Sequence, residues 1–120
     1  MVTLNFGFDR EENALYFHCA PEGLKTEILR ANPRVCGTVI EDRGYQTGKC
    51  SHAFRTVVFR GKGTIVPDLE GKKRGFRVLV GHLEENPGPI LEKVLKDENA
   101  LAEVCVLRLD LEEITGKQGA

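Results

Sequence analysis

A chain of 120 residues, 41% hydrophobic and 29% charged, has the size and composition of one globular domain, and residues 1–120 are read as a single unit. A formal net charge of −1 gives no global attraction to nucleic acid, and no apolar run approaches the ~20 residues of a membrane span. Met1 to Asp9 has neither a basic start nor a long apolar stretch, so no export signal is expected, and the chain is read as cytoplasmic with reduced thiols.

In chain order, Leu4-Asn-Phe-Gly-Phe8 alternates apolar with small or polar residues and predicts a half-buried strand. The polar turn Asp9–Asn13 joins it to a second strand over Ala14–Cys19, completing a β-hairpin. Pro21 suits the first turn of a helix with a Leu24, Ile28, Leu29 stripe, and Asn32-Pro33 ends it because a residue before proline avoids the α region. Val35–Ile40 reads as a third strand and Glu41–Gly48 as a loop. A long fourth strand runs from Phe54 to Val66, with Gly61 and Gly63 marking a bulge or bend such as a small barrel needs. Asp68 can cap a helix carrying Phe76, Val78, Leu79 and Leu83. A turn over Glu84–Pro89 precedes a short amphipathic helix, Ile90–Lys96. Ala102–Leu111 alternates as a fifth strand, and Gly116–Ala120 is expected to fray. The order β-β-α-β-β-(α-α)-β has no β-α-β alternation, so the fold class is mainly β with inserted helices, an antiparallel barrel or sandwich.

Charge is segregated. Eight Lys/Arg lie between Lys49 and Arg77 against Asp68 and Glu70, and nine Asp/Glu lie between Glu84 and Glu113. Solvated faces explain most of these side chains; the sharper expectation is that some of the basic ones converge on a phosphate. The run Lys72-Lys-Arg74 is read as a solvated helix face, and His82 as a surface residue. Cys36 and Cys105 lie in apolar runs and are expected in the core. Cys50-Ser-His52 with His18 and Cys19 shows neither C-x₂₋₄-C nor H-x₃₋₅-H spacing, so no metal site is expected.

The most informative stretch is His18-Cys-Ala-Pro-Glu-Gly-Leu-Lys25, where a strand ends, turns through small residues and opens a helix bearing a lysine. Free N–H groups at a helix start and a nearby ammonium favour an anion. On spacing alone, a lysine in a first helical turn is more often simply solvated, and that reading of Lys25 is the favoured one.

Tyr16-Phe-His-Cys-Ala-Pro-Glu-Gly-Leu-Lys25 followed by Asn32-Pro-Arg-Val-Cys36 resembles the FMN-binding split β-barrel superfamily of pyridoxamine 5′-phosphate oxidases, and its nitroimidazole-resistance branch in particular. Leu4–Phe8, Phe54-Arg-Thr-Val-Val58 with Gly61-Lys-Gly63, and Leu109–Lys117 agree in the same order along the chain. The resemblance implies an antiparallel, Greek-key-like split barrel, a homodimer with FMN in a groove between subunits, and two-electron chemistry on a small aromatic or nitro-aromatic compound. Backbone groups of Thr3, Leu4, Asn5 and Phe6, on a strand over Val2–Phe6, would line the flavin ring. Cys19 and Ala20 would form a cofactor-contacting turn, and Lys25 would pair with the phosphate. Arg55 and Thr56 would be a polar pair reaching the flavin, with Lys117 a basic residue near the groove. His18 would face the substrate as the candidate catalytic residue, against the simpler reading of a hydrogen-bonded strand-end histidine. Cys19 as a nucleophile is weighed against a small residue tolerated beside the cofactor.

Relatives carry further residues ahead of the segment matching Leu4, so the barrel is expected to be short at its N-terminal side, with an exposed edge. No G-x-G-x-x-G fingerprint is present, which makes any nicotinamide donor a transient substrate. The alternatives to an FMN-dependent oxidoreductase are a flavin- or haem-binding module without turnover, and a cofactor-less dimerising scaffold.

Overall fold

The computed structural model describes residues 1–119. Five antiparallel strands form one sheet: β1 (Gly7–Asp9), β2 (Ala14–Cys19), β3 (Arg34–Gln46), β4 (Ser51–Ile65) and β5 (Cys105–Gly119). Their order across the sheet is β1-β2-β5-β4-β3, which sets β2 beside β5 in Greek-key fashion and leaves β1 and β3 as edges of an unclosed sheet. Helix α1 (Leu24–Ala31) links β2 to β3. Helices α2 (Leu69–Leu83), α3 (Pro87–Lys96) and α4 (Glu98–Glu103) link β4 to β5.

Helix boundaries follow local chemistry. The Asp68 carboxylate accepts from the Gly71 N–H and starts α2, as its position before the apolar periodicity predicts. Asp97 caps the unforeseen α4 in the same way through the Ala100 N–H. Proline at the start of α3 opens that helix at Pro87, three residues before Ile90. Helix α1 begins after Pro21, at Leu24, because Gly23 at φ +143° cannot belong to a helix.

The hairpin β1–β2 forms as the pattern predicts, but its first strand starts only at Gly7, and no strand runs over Val2–Phe6. Two contacts draw the chain off the ladder there. A Cβ on Gly7 would stand 2.6 Å from the Leu79 Cα, so α2 crosses directly over this backbone. The Phe6 ring turns to meet His82, with centroids 4.8 Å apart. His82 is therefore exposed yet packed.

Strands β3 and β5 run further than predicted. β3 continues through the expected loop to Gln46, with a bulge between Asp42 and Tyr45, and turns at Thr47–Cys50, where Gly48 has φ +81°. β5 continues through the expected fraying tail to Gly119, while Ala120 lies outside the described residues. A register shift falls at Arg60 and Gly61, where a bend is expected, but the extra residue is Glu112 on the partner strand β5.

Two clusters fill the two faces of the sheet's body. Ala14, Tyr16, Val66 and Val106 pack with Phe76 and Val78 of α2. Leu15, Phe59 and Leu109 pack with Phe6, Phe17, Val35, Val39 and Leu111. Beyond the register shift at Arg60, β3, β4 and β5 continue as a three-stranded arm bearing exposed Ile40, Val57, Val58 and Ile114. The Cα radius of gyration is 16.4 Å, against about 13.5 Å for a compact chain of this length. Cys105 is buried as expected, whereas Cys36, on edge strand β3, is exposed rather than in the core.

Cross-element ion pairs replace the expected solvated charges. Lys72 donates to the Leu101 and Ala102 carbonyls, Lys73 meets Glu98 at 2.8 Å, and Arg74 reaches Asp9 at 2.8 Å. On the arm, Arg34–Glu112 and Arg60–Glu113 pair at 2.6 and 4.0 Å. Between the segregated stretches themselves, Lys73–Glu98 joins α2 to α4 and Arg60–Glu113 joins β4 to β5, while Arg74 turns to the acidic turn after β1.

Asp9 is the buried member of this set, 5% exposed. Burial pushes its carboxyl up, but the Arg74 guanidinium and the N–H groups of Glu12 and Glu11 outweigh this and hold it below its ordinary value. The folded pKa lies below the unfolded one, so the stabilisation is complete above the unfolded value near ~4 and is lost as pH falls through the folded value. Asp9→Asn should lower stability by about 2 kcal/mol at pH 7. Urea titrations of the two proteins should converge as the pH is taken below that range.

Candidate functional site

β2 ends at the site. Its register with β1 stops at Tyr16↔Gly7, so the backbone of Phe17, His18 and Cys19 has no strand partner on the β1 side, while β5 pairs it on the other. His18 is exposed and lies over α2, its ring 5.9 Å from that of Phe76 at an interplanar angle of 22°. Ala20 and Glu22 are exposed in the connection to α1.

Helix α1 presents the donor set that an anion requires. Gly23 provides no side-chain cap, so the N–H groups of Leu24, Lys25 and Thr26 keep no partner within the helix. The Thr26 hydroxyl is already used, donating to the Gly23 carbonyl at 3.0 Å. Lys25 sits in this first turn, half-buried, and its ammonium makes no ion pair among the described residues. An uncapped helix start with an unengaged cation suits a phosphate monoester.

Thr3, Leu4, Asn5 and Phe6 precede β1 outside any ladder, so their backbone groups are not consumed by sheet pairing. Phe6 is half-buried against the Leu15–Leu109 cluster.

The other candidates lie on the arm. Arg55 pairs in register with Glu41 and Gln118, and its Nε donates to the Gln118 Oε1 at 3.2 Å. Thr56 is opposite Lys117, whose ammonium lies 5.9 Å from the Phe54 ring centre. Because consecutive strand residues point to opposite faces, Arg55 and Thr56 serve different faces, and Thr56 shares its face with Lys117.

These two groups of candidates do not meet within one copy of the chain. Helix α1 touches β4 at Gly63, where a Cβ would stand 2.6 Å from the Leu29 Cδ1. Thr56 lies seven residues back along β4, roughly 20 Å or more from α1 at strand rise. His18, Cys19, Ala20 and Lys25 form one cluster, and Arg55, Thr56 and Lys117 form another.

Two neighbours of the site carry no signal in the sequence. Phe76 under His18 depends on the crossing of α2, and Cys105 opposite Cys19 depends on the β2–β5 register. No group of three or more His, Cys, Asp or Glu suited to a metal ion occurs among the described residues, and no helix there is long and apolar enough to cross a membrane.

An unclosed antiparallel sheet in this strand order, with helices inserted before β3 and β5, has the architecture of a split β-barrel. The chain belongs to the pyridoxamine 5′-phosphate oxidase family, whose model matches residues 1–118. Among solved structures it is similar to that of a candidate 5-nitroimidazole antibiotic resistance protein from Bacteroides thetaiotaomicron, at 26% identity and a TM-score of 0.71, over 96% of this chain and 66% of that one. The chain thus spans just under two thirds of that relative. It is similar also to an FAD-binding protein from Mesorhizobium loti, at 25% identity and a TM-score of 0.66, over 99% of this chain and 76% of that one. A flavocytochrome from Azotobacter vinelandii shares the fold at 23% identity and a TM-score of 0.73, over 94% of this chain and 53% of that one. No curated protein sequence matches the chain.

Proposed function

We propose that two copies of this chain bind FMN in a groove between them and use it for two-electron chemistry on a small aromatic or nitro-aromatic compound. The observation that carries this reading is the separation of the candidate residues into two clusters, one of them on an arm that leaves Ile40, Val57, Val58 and Ile114 exposed. A two-fold related copy can lay its arm, with Thr56 and Lys117, against the Lys25 cluster of the first. It would cover Ile40 and Val58 in doing so. Similarity to the resistance protein and to the FAD-binding protein supports the branch and the cofactor class.

When bound, FMN supplies the redox centre. Lys25 and the open N–H groups of α1 hold its phosphate. Backbone groups of Thr3 to Phe6 and the free edge of β2 orient its ring. His18, exposed and braced on Phe76, holds a proton at a ring nitrogen toward the substrate.

Fluorescence titration of the apo protein with FMN tests the reading. Quenching should saturate at micromolar FMN, and Lys25→Ala should weaken it about tenfold, the worth of one charge-assisted contact. Reduced nicotinamide added without oxygen should then bleach the flavin absorbance. Binding without bleaching would support a carrier, and no binding at all would leave the dimerising scaffold.

A further inference from the structure

We propose that Cys19 and Cys105 form a reversible redox site, a dithiol that a peroxide converts to an intrachain disulfide. The two residues are direct partners in the β2–β5 ladder and its terminal pair, since β2 ends at Cys19 and β5 begins at Cys105. Directly opposed residues on antiparallel strands have Cα atoms about 4.5–5.5 Å apart. That spacing falls inside the range of about 4.4–6.8 Å that a disulfide spans, and both side chains project from the same face. A position at the end of the ladder lets the backbone make the remaining adjustment without breaking further pairs. The other two cysteines lack this arrangement: Cys36 is opposite Arg60, and Cys50 is in the β3–β4 turn.

The two thiols differ in a way that divides the chemistry. Cys19 is half-buried and Cys105 buried. Burial, with the adjacent Cys19 sulfur, pushes the Cys105 thiol up against the opposing influence of Arg30 and Lys72. Cys19 is therefore the attacking group and Cys105 the resolving one. The Cys19 thiolate attacks one oxygen of hydrogen peroxide, the O–O bond breaks, and the departing hydroxide takes a proton to become water, leaving a sulfenic acid. The Cys105 sulfur then attacks the Cys19 sulfur, the S–O bond breaks, and a second water leaves with the Cys105 proton. Two electrons pass from the thiols to the peroxide. The bond ties the end of β2 to β5 and so fixes the start of the connection that leads to Gly23 and Lys25.

The test uses the full chain carrying Cys36→Ser and Cys50→Ser, with no flavin added, so that its outcome is independent of FMN binding. After treatment with hydrogen peroxide, alkylation and peptide mapping by mass spectrometry should find the Cys19 and Cys105 peptides joined within one chain. The mass should be lower by two hydrogens, and a reductant should restore both thiols. Cys19→Ser in the same background should abolish the link, and the chain with all four cysteines should give the same linked peptide. Full alkylation of both thiols after peroxide, a link between chains, or oxidation of Cys19 to the sulfinic acid with Cys105 still free would each overturn the proposal.

Discussion

Gly61→Ala should destabilise the fold by about 3 kcal/mol, a drop of roughly 12 °C in Tm for a chain of this length. An added Cβ would stand 2.0 Å from the Asp110 carbonyl oxygen and 2.9 Å from the Leu109 Cδ2. The first of these neighbours is backbone in the central strand and has no rotamer to adopt. Gly61 also adjoins the register shift where β4 passes from the body of the sheet to the arm, so relief of the clash would disturb pairing on both sides. Gly63→Ala is the control, because the nearest atoms to its Cβ all belong to the Leu29 side chain, Cδ1 at 2.6 Å, and a leucine side chain can move aside. Urea denaturation of the two variants should separate them by more than 1.5 kcal/mol. Equal midpoints would show that the β4–β5 pairing at Gly61 yields to a methyl group at little cost.

Val58→Asp should leave the fold of one copy intact and break the association of two. Val58 is 48% exposed in the single chain, where surface substitutions cost within about 0.5 kcal/mol. Beneath a second copy the new carboxylate would lose its water and replace an apolar contact, a penalty of several kcal/mol that weakens dimerisation by about a hundredfold or more. Sedimentation velocity should find the wild type as a dimer and Val58→Asp as a monomer with an unchanged circular dichroism spectrum. FMN affinity should fall with it if, as proposed, Thr56 and Lys117 reach the Lys25 cluster from the other copy. A variant that remains dimeric would remove the arm from the interface, and a monomer that binds FMN normally would confine the site to one copy.

What could be read in the sequence tracks where a strand has a buried face. Ala14–Cys19 was legible to the residue because each face of that strand meets a distinct apolar cluster. The distal parts of β3 and β5 were not, since Glu41–Gln46 and Glu112–Gln118 have almost no buried face and so no alternation to detect. The strand expected over Val2–Phe6 failed for a tertiary reason, the crossing of α2 at Gly7. Lys25 and His18 are candidates chiefly through the family resemblance, and the helix start gives Lys25 a local rationale. The opposite faces of Arg55 and Thr56 follow from strand periodicity alone, whereas their distance from Lys25 needed the β4 register and the seat of α1. Cys105 as the partner of Cys19 was out of reach, because spacing along a chain carries no information on which distant strands pair.

The β5 strand follows every other element in sequence and yet sits in the middle of the sheet, between β2 and β4. Its partner β2 lies some ninety positions earlier, as in Ala14 with Asp110, so the sheet cannot grow by adding neighbours in the order of synthesis. Before β5 arrives, the chain holds two separate hairpins whose inner edges face an empty slot. Such long-range pairing entails a large loop-closure entropy ahead of its reward, which makes folding slow relative to helical domains of the same length. During that interval the β2 and β4 edges are open to strands of other molecules, and the closing of the sheet is also the step that withdraws them from misassembly.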